Sequence, residues 1–440
     1  MQTMKYILKS TSLLLLIFFS QIVQAQQEQT LGLVPNIWQS NLLNPAQLPD
    51  KKIHVVLPSI YLSAKSDFVL NDFIHVDSES GRRQIVDTLV LAKLHDSNKF
   101  SVNAQIQTLG ISFPINDKIQ LSLYHAINTN ASVDINGNLA KLFIKGNTQF
   151  VGNTVSLSSE GNTSMYSELG LGAAYNLNEN FTVGLRIKYL SGITAAFTTR
   201  KKFDANFDAA GAQLSINSDF ALVTFDENKL AGIKNTTDIL SNGLFGSNSG
   251  YSFDLGGTFK IGKIKLAASI LDLGGTINWQ NNAKTYSTSG NTVYVGDNAA
   301  NFFNANNYST THYIDTLKRY TNYTETNTGS YTQTLPLRLY LCGTYQLNDT
   351  WTFGALIYNE SNSINAGTGF TLNSSAQIGK ILNCGLSYSL RNNSFDNLGL
   401  HFVLKLGAVQ LYGVTDNITA AFRLYDVKTA NGRLGMNLVF

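Results

Sequence analysis

Apolar and polar side chains alternate along much of this chain with a period of two. Between residues 251 and 261, Tyr251, Phe253, Leu255, Phe259 and Ile261 fall on one side, and Ser252, Asp254, Gly256, Thr258 and Lys260 on the other. Phe181, Val183, Leu185, Ile187 and Tyr189 likewise oppose Thr182, Gly184, Arg186 and Lys188, and Leu398, Leu400, Phe402, Leu404 and Leu406 oppose His401 and Lys405. Successive strand residues point to opposite faces, so this period predicts strands with one apolar and one polar face. The final run has the same form, with Leu434, Met436, Leu438 and Phe440 facing away from Arg433, Gly435, Asn437 and Val439.

Very short turns punctuate these runs at Asn116-Asp117, Asn178-Glu179, Ile261-Gly262, Asn348-Asp349, Gly379-Lys380 and Leu406-Gly407. These residues tolerate tight-turn geometry. At their other ends the strands are joined by loops that are mostly longer and polar, with the long ones near residues 65–99, 130–164, 198–249, 278–334 and 416–431. Short turns on one side and long loops on the other are the asymmetry of an outer-membrane barrel, with the short turns periplasmic. Six turns separate seven hairpins, which predicts an all-β, transmembrane antiparallel barrel of about 14 strands. The stretch 213–224 alternates again; it extends a hairpin above the membrane or, if it enters the wall, raises the count to about 16. Short helices that fold into the lumen are expected at 139–144 and 226–240. The terminal strand is expected to pair with residues 53–64 and close the wall.

At the other end, Lys5 and Lys9 precede an apolar run from Leu13 to Phe19 and a small-residue cleavage pattern, Val23-Gln24-Ala25. This predicts a secretory signal peptide over residues 1–25, since the run is far short of the roughly 20 residues of a membrane helix. No later run has helix-spanning length, so a membrane location requires a barrel. Outward apolar faces are then lipid-facing, and a charge placed there at mid-bilayer would cost roughly 2–4 kcal/mol. The charges accordingly belong to the inner face.

Composition strengthens this picture. Only 14% of residues are charged, against roughly 25% in average proteins, while 25 Phe and 20 Tyr favour strands with aromatic belts. Losing Lys5 and Lys9 from the 32 Lys and Arg leaves 30 against 29 Asp and Glu, a near-neutral chain with no pull toward nucleic acid. Cys342 and Cys384 fall on opposite faces, which argues against a disulfide.

Asn44-Pro45-Ala46 lies just ahead of the first strand, and Asn-Pro is a turn initiator. The run Leu-Asn-Pro-Ala before strand one, the strand count and the terminal Phe together resemble the FadL family of hydrophobic-compound transporters. A more specific resemblance, carried by residues 43–50, 170–175, 411–418 and 432–440, is to an uncharacterised Bacteroidetes outer-membrane family of the same FadL-like superfamily, related to the PorV and PorP/SprF barrels of type IX secretion. The resemblance implies that residues 26–50 form an N-terminal hatch inside a barrel of residues 51–440, and that Asn44, Pro45 and Ala46 form the hatch turn or touch a ligand. It also implies a channel for hydrophobic or small solutes, with a secretion or surface-assembly component that binds proteins through its loops as the alternative. Outer-membrane lipid and the barrel assembly machinery are the remaining expected partners, with Phe440 as the assembly signal.

Glu168, Arg186, Lys188, Lys265, Arg338, His401 and Lys405 are the inner-face candidates, either lining a pore or satisfying one another within the lumen. Trp279, Trp351, Tyr175, Tyr345 and Tyr388 read as interface girdles. The six histidines have no metal-ligand spacing, and Asp67 and Asp72 lack a calcium-loop context. There is no Gly-x-Ser-x-Gly, phosphate loop or dinucleotide fingerprint. No enzyme, metal or cofactor is therefore expected.

Overall fold

A strand that is apolar on one face and polar on the other is stable in lipid when its backbone groups are all paired, and a closed barrel achieves this without exposed edges. That is the architecture here. The structure, a computed structural model, describes residues 28–49, 52–76, 83–85, 87–210, 213–227, 247–295, 323–361, 367–391 and 394–440. The expected leader lies outside these residues, as does nearly all of the expected helix at 226–240.

Fourteen strands form the wall. They are β1 (His54–Val56 and Ser59–Ser66), β2 (Ser97–Pro114), β3 (Ile119–Asn136), β4 (Glu160–Asn176) and β5 (Phe181–Phe207). Beyond β6 (Gln213–Phe225), which is not a wall strand, follow β7 (Asn248–Ile261) and β8 (Ile264–Trp279). After β9 (Ala283–Val295), also outside the wall, come β10 (Arg338–Gln346), β11 (Trp351–Glu360), β12 (Gly367–Ile378), β13 (Leu382–Arg391), β14 (Ser394–Leu406), β15 (Val409–Thr415) and β16 (Thr429–Val439). Wall neighbours are antiparallel, and β16 closes on both halves of β1, through His54↔Val439 and Ile60↔Leu434. Leu57 and Pro58 interrupt β1 because proline has no N–H to donate to the ladder.

The six short turns lie together at one end. Asn116, Asn178 and Asn348 repeat one device, in which the side-chain oxygen accepts from the backbone N–H groups two and three residues on, at 2.8–3.0 Å. The predicted Ile261-Gly262 turn sits one residue later, at Gly262-Lys263, where Gly262 takes φ +54°. Leu62, Val102, Leu123, Leu171, Leu185 and Phe253 present their side chains outward around the wall and are each more than 40% exposed. A continuous belt of this kind is stable only against lipid.

Several strands run past the bilayer. About 9–11 residues cross the hydrocarbon region; β5 has 27. Its upper half pairs with β6, and β6 pairs along its whole length with β9, so these strands form a shelf on the long-loop side. The 213–224 stretch is therefore an extension above the wall and the strand number stays at fourteen. The helix Gly137–Lys145 forms as expected but does not enter the lumen: Leu142 packs with Phe150, Leu157, Phe207, Leu214 and Ile216 against the shelf. Trp279 departs from the girdle reading as well. It is fully buried among Leu190, Phe197, Phe225 and Leu335 at the base of the shelf, whereas Tyr175, Tyr345, Trp351 and Tyr388 are exposed on the outer wall.

Candidate functional site: the filled lumen

Residues 28–49 lie inside the barrel. A 3-10 turn (Thr30–Leu33) and a single helical turn (Ser40–Leu43) fold their apolar side chains onto one part of the wall, where Leu31, Leu33, Val34, Ile37 and Leu43 meet Leu271, Leu356, Val403 and Val414 with Tyr340, Tyr358 and Tyr412. The remaining contacts are polar. Burying backbone amides away from water requires partners, and the wall supplies them.

Five anchors hold this segment. At its start, Arg433 of β16 donates from Nε and Nη2 to the two oxygens of Glu28, at 2.5 and 2.8 Å, a bidentate pair. Asp416 accepts from the Thr30 N–H at 2.8 Å and the Gln29 N–H at 3.3 Å. In the middle, Gln39 and Asn437 exchange two amide hydrogen bonds at 2.9 and 3.0 Å. Further on, Arg186 donates to the carbonyls of Asn41 and Leu42 at 2.8 and 2.9 Å. Last, the Asn44 side chain donates to the carbonyls of Gly257 and Ala268 at 3.2 and 3.1 Å, while its own oxygen accepts from the Ala46 N–H at 2.9 Å.

The Asn-Pro-Ala turn fits a bare patch of wall. A Cβ on Gly184 would fall on the Pro45–Ala46 peptide, and one on Gly256 would fall on the Asn44 side chain. Only glycine permits this approach of backbone to backbone. Asn44, Pro45 and Ala46 are buried against the wall, and the Asn44 amide is spent on wall carbonyls.

Glu168, Arg186, Lys188 and Arg338 come together beside this segment. Arg186 Nε and Lys188 Nζ both pair with Asp254, at 2.7 and 2.9 Å. Lys188 also reaches Asp272 at 2.5 Å, and Arg338 donates to the other oxygen of Asp272 at 2.8 Å. The Asp272 N–H donates to Asp254 at 2.8 Å, which locks the two carboxylates together. Glu168 accepts from Tyr124, whose ring lies under the Arg186 guanidinium at 5.3 Å and edge-on to Trp38 at 5.9 Å. Lys265, His401 and Lys405 lie apart from this cluster: His401 is fully buried and pairs with Asn383 at 3.2 Å, and the two lysines are half-buried toward the turn end.

Strict alternation does not single out Asp272. Leu271 beside it is also buried in the lumen, because the β7–β8 register shifts between Tyr251 and Leu255 and Asp272 takes φ +59°. This bulge turns inward a carboxylate that a regular strand would aim at lipid. Glu28, Asp254 and Arg433 join the cluster or its anchors without being among the inner-face candidates; Asp254 and Arg433 stand on the polar faces of their strands, and that is the signal the sequence offers for them.

The segment divides the lumen. On the long-loop side it leaves a cavity of about 300 Å³ reaching Leu42, Leu43, Glu168, Arg338 and Arg433, and on the turn side one of about 490 Å³ reaching Pro35, Pro49, Lys265 and Asn383. Asn44, Pro45 and Ala46 line neither. Among the described residues no group of three or more His, Cys, Asp or Glu is placed to hold a metal ion.

The chain is similar to solved structures that include a FadL homologue from Pseudomonas aeruginosa, 10% identical, over 96% of this chain and 99% of that one at a TM-score of 0.45. The toluene transporter TodX of Pseudomonas putida, also 10% identical, covers 96% and 95% at a TM-score of 0.41. The translocator domain of the autotransporter NalP from Neisseria meningitidis is 8% identical and covers 88% of each chain at 0.33. No curated protein matches the sequence. The model of one family does match, over residues 45–416, and the chain belongs to that family of unknown function, DUF5723.

Proposed function

We propose that this protein is an outer-membrane channel for small solutes whose lumen is closed at rest by residues 26–50 acting as a hatch. The observation that carries the reading is the mode of attachment of residues 28–49, which fill the mid-lumen between two cavities and are held by hydrogen bonds, ion pairs and apolar contacts. Such contacts can be exchanged for a ligand's. A segment needed only to fill a barrel would gain nothing from vestibules on both sides of it. The Asn44-Pro45-Ala46 turn on its glycine patch serves as the fixed end, and the Glu28–Arg433 pair as the end that lets go.

Flux of small solutes into proteoliposomes tests this. The full chain is expected to be nearly closed, and a variant lacking residues 26–50 to conduct freely while keeping the heat-dependent gel mobility of a folded barrel. Equal flux through both proteins would sink the proposal.

A further inference from the structure

The cavity on the long-loop side faces the medium from which a solute would come, and its walls are specific about chemistry. Its basic groups are each paired with a carboxylate, and its other carboxylates accept hydrogen bonds from Tyr and Asn side chains. Glu28 is held by Arg433, Lys188 and Arg338 by Asp272, Glu168 by Tyr124 and Asn128, and Glu360 by Tyr358. An anionic solute entering here would have to draw Arg433, Lys188 or Arg338 from its carboxylate and strand that partner, and a cationic one would have to give up its hydration to displace the donors already on Glu168 or Glu360, both unfavourable. An apolar solute meets the opposite difficulty. Amides and hydroxyls of Asn103, Gln105, Asn130, Ser132, Asn162 and Ser164 line the cavity, and covering each with hydrocarbon leaves a desolvated polar group costing about 1–3 kcal/mol.

What these walls match is a neutral molecule with many hydroxyls and some apolar faces. Amide side chains donate and accept at once, as a hydroxyl does. The aromatic contribution is also in place: Phe197 and Tyr331 stack with ring centroids 4.0 Å apart on one side of the cavity, and Tyr166 stands beside them. Aromatic faces pack against the C–H side of a ring whose hydroxyls point to the rim. We propose that this vestibule is a binding site for a neutral, polyhydroxylated solute of saccharide type.

The same amides also reach the anchor of the hatch. Gln105 accepts from Arg433 at 2.7 Å and donates to Asn128 at 2.8 Å, and Asn128 in turn faces Glu168. A solute that draws on Gln105 therefore competes with the link that holds Arg433 toward Glu28. As a statement about uptake the inference rests on the channel reading above, whereas binding itself does not.

Binding is measured on the full chain in detergent by titration calorimetry, with three probes of different chemistry: maltotriose, trigalacturonate and laurate. Maltotriose is expected to bind with an affinity indifferent to salt. Asn103→Ala with Asn130→Ala is expected to weaken it about tenfold or more, a loss in the range of one or two hydrogen bonds. Tyr331→Ala should weaken it too and Tyr331→Phe should not, with heat-dependent gel mobility verifying that each variant is folded. Tighter binding of laurate or trigalacturonate, no binding of any probe, or unchanged maltotriose affinity in the double variant would each overturn the proposal. A barrel that binds maltotriose but conducts no better without residues 26–50 would keep this site and lose the hatch; one that conducts without them but binds no probe would do the reverse.

Discussion

One strand, β5, carries two pairs of basic residues with opposite fates. Near its turn end Arg186 and Lys188 are 1% exposed and share Asp254, and Arg186 also donates to the carbonyls of Asn41 and Leu42. In the shelf, Arg200 and Lys201 pair with Asp219 and Glu160 at 2.7 and 2.8 Å, but these side chains stand largely in water, at 48% and 59% exposure. The ion-pair distances are alike and the surroundings are not. Within the lumen, removing one partner strands a buried charge, worth about 3–5 kcal/mol, while an exposed pair is worth about 0–1 kcal/mol. The lower half of the strand thus uses charge to fix the wall and its occupant in one arrangement, and the upper half uses it at a solvated surface.

Breaking that contrast at its strong end gives the largest expected effect. Asp272→Ala leaves Lys188 and Arg338 facing each other without their shared carboxylate, and should lower stability by about 3–5 kcal/mol in urea unfolding from lipid vesicles. Replacing Gly256 by Val acts on the occupant instead. Its side chain would take the space of Asn44, so residues 28–49 should be displaced and, if they close the lumen as proposed, flux should rise, with overpacking costing roughly 1–3 kcal/mol if the segment stays. At the weak end, Arg200→Ala should change stability by less than about 1 kcal/mol and leave flux as it was; a loss as large as that of Asp272→Ala would erase the distinction between the two halves.

The smallest effect expected is one of pH on the shelf. The Lys284 ammonium, 2.5 Å from Glu227, donates to it and holds its carboxyl below the usual range, helped by Tyr286 and Thr224. Because the folded value is depressed, the stabilisation is present above the unfolded value near about 4.3 and is lost as pH falls through the folded value. Amide exchange in β9 should therefore quicken only in acid below that value, and Glu227→Gln should remove the dependence.

The wall was legible because lipid enforces a strict period of two. Leu185 and Ile187 outside with Arg186 and Lys188 inside, the Asn116, Asn178 and Asn348 turns, and the closure of β16 on β1 all follow from alternation and turn chemistry. What alternation could not carry was anything that breaks it or lies outside the bilayer. Asp272 enters the lumen through a bulge, Trp279 turns under the shelf, and the helix Gly137–Lys145 finds its apolar partners on β5 and β6 rather than within the barrel. The contacts of residues 28–49 are longer-range still: Glu28 and Arg433 are separated by 405 positions, and no local pattern pairs them.

The central claim is that residues 28–49 must move for solutes to pass. Gln39 and Asn437 are hydrogen-bonded to each other between the segment and β16, so cysteines at both positions, with Cys342→Ser and Cys384→Ser, allow the segment to be tethered to β16 by a short reducible bis-thiol cross-linker. Flux of small solutes into proteoliposomes is then measured before and after reduction. The account predicts no flux in the cross-linked protein and, after reduction, flux above that of the unsubstituted chain, because the Gln39–Asn437 anchor is gone; the same flux in both states would contradict it.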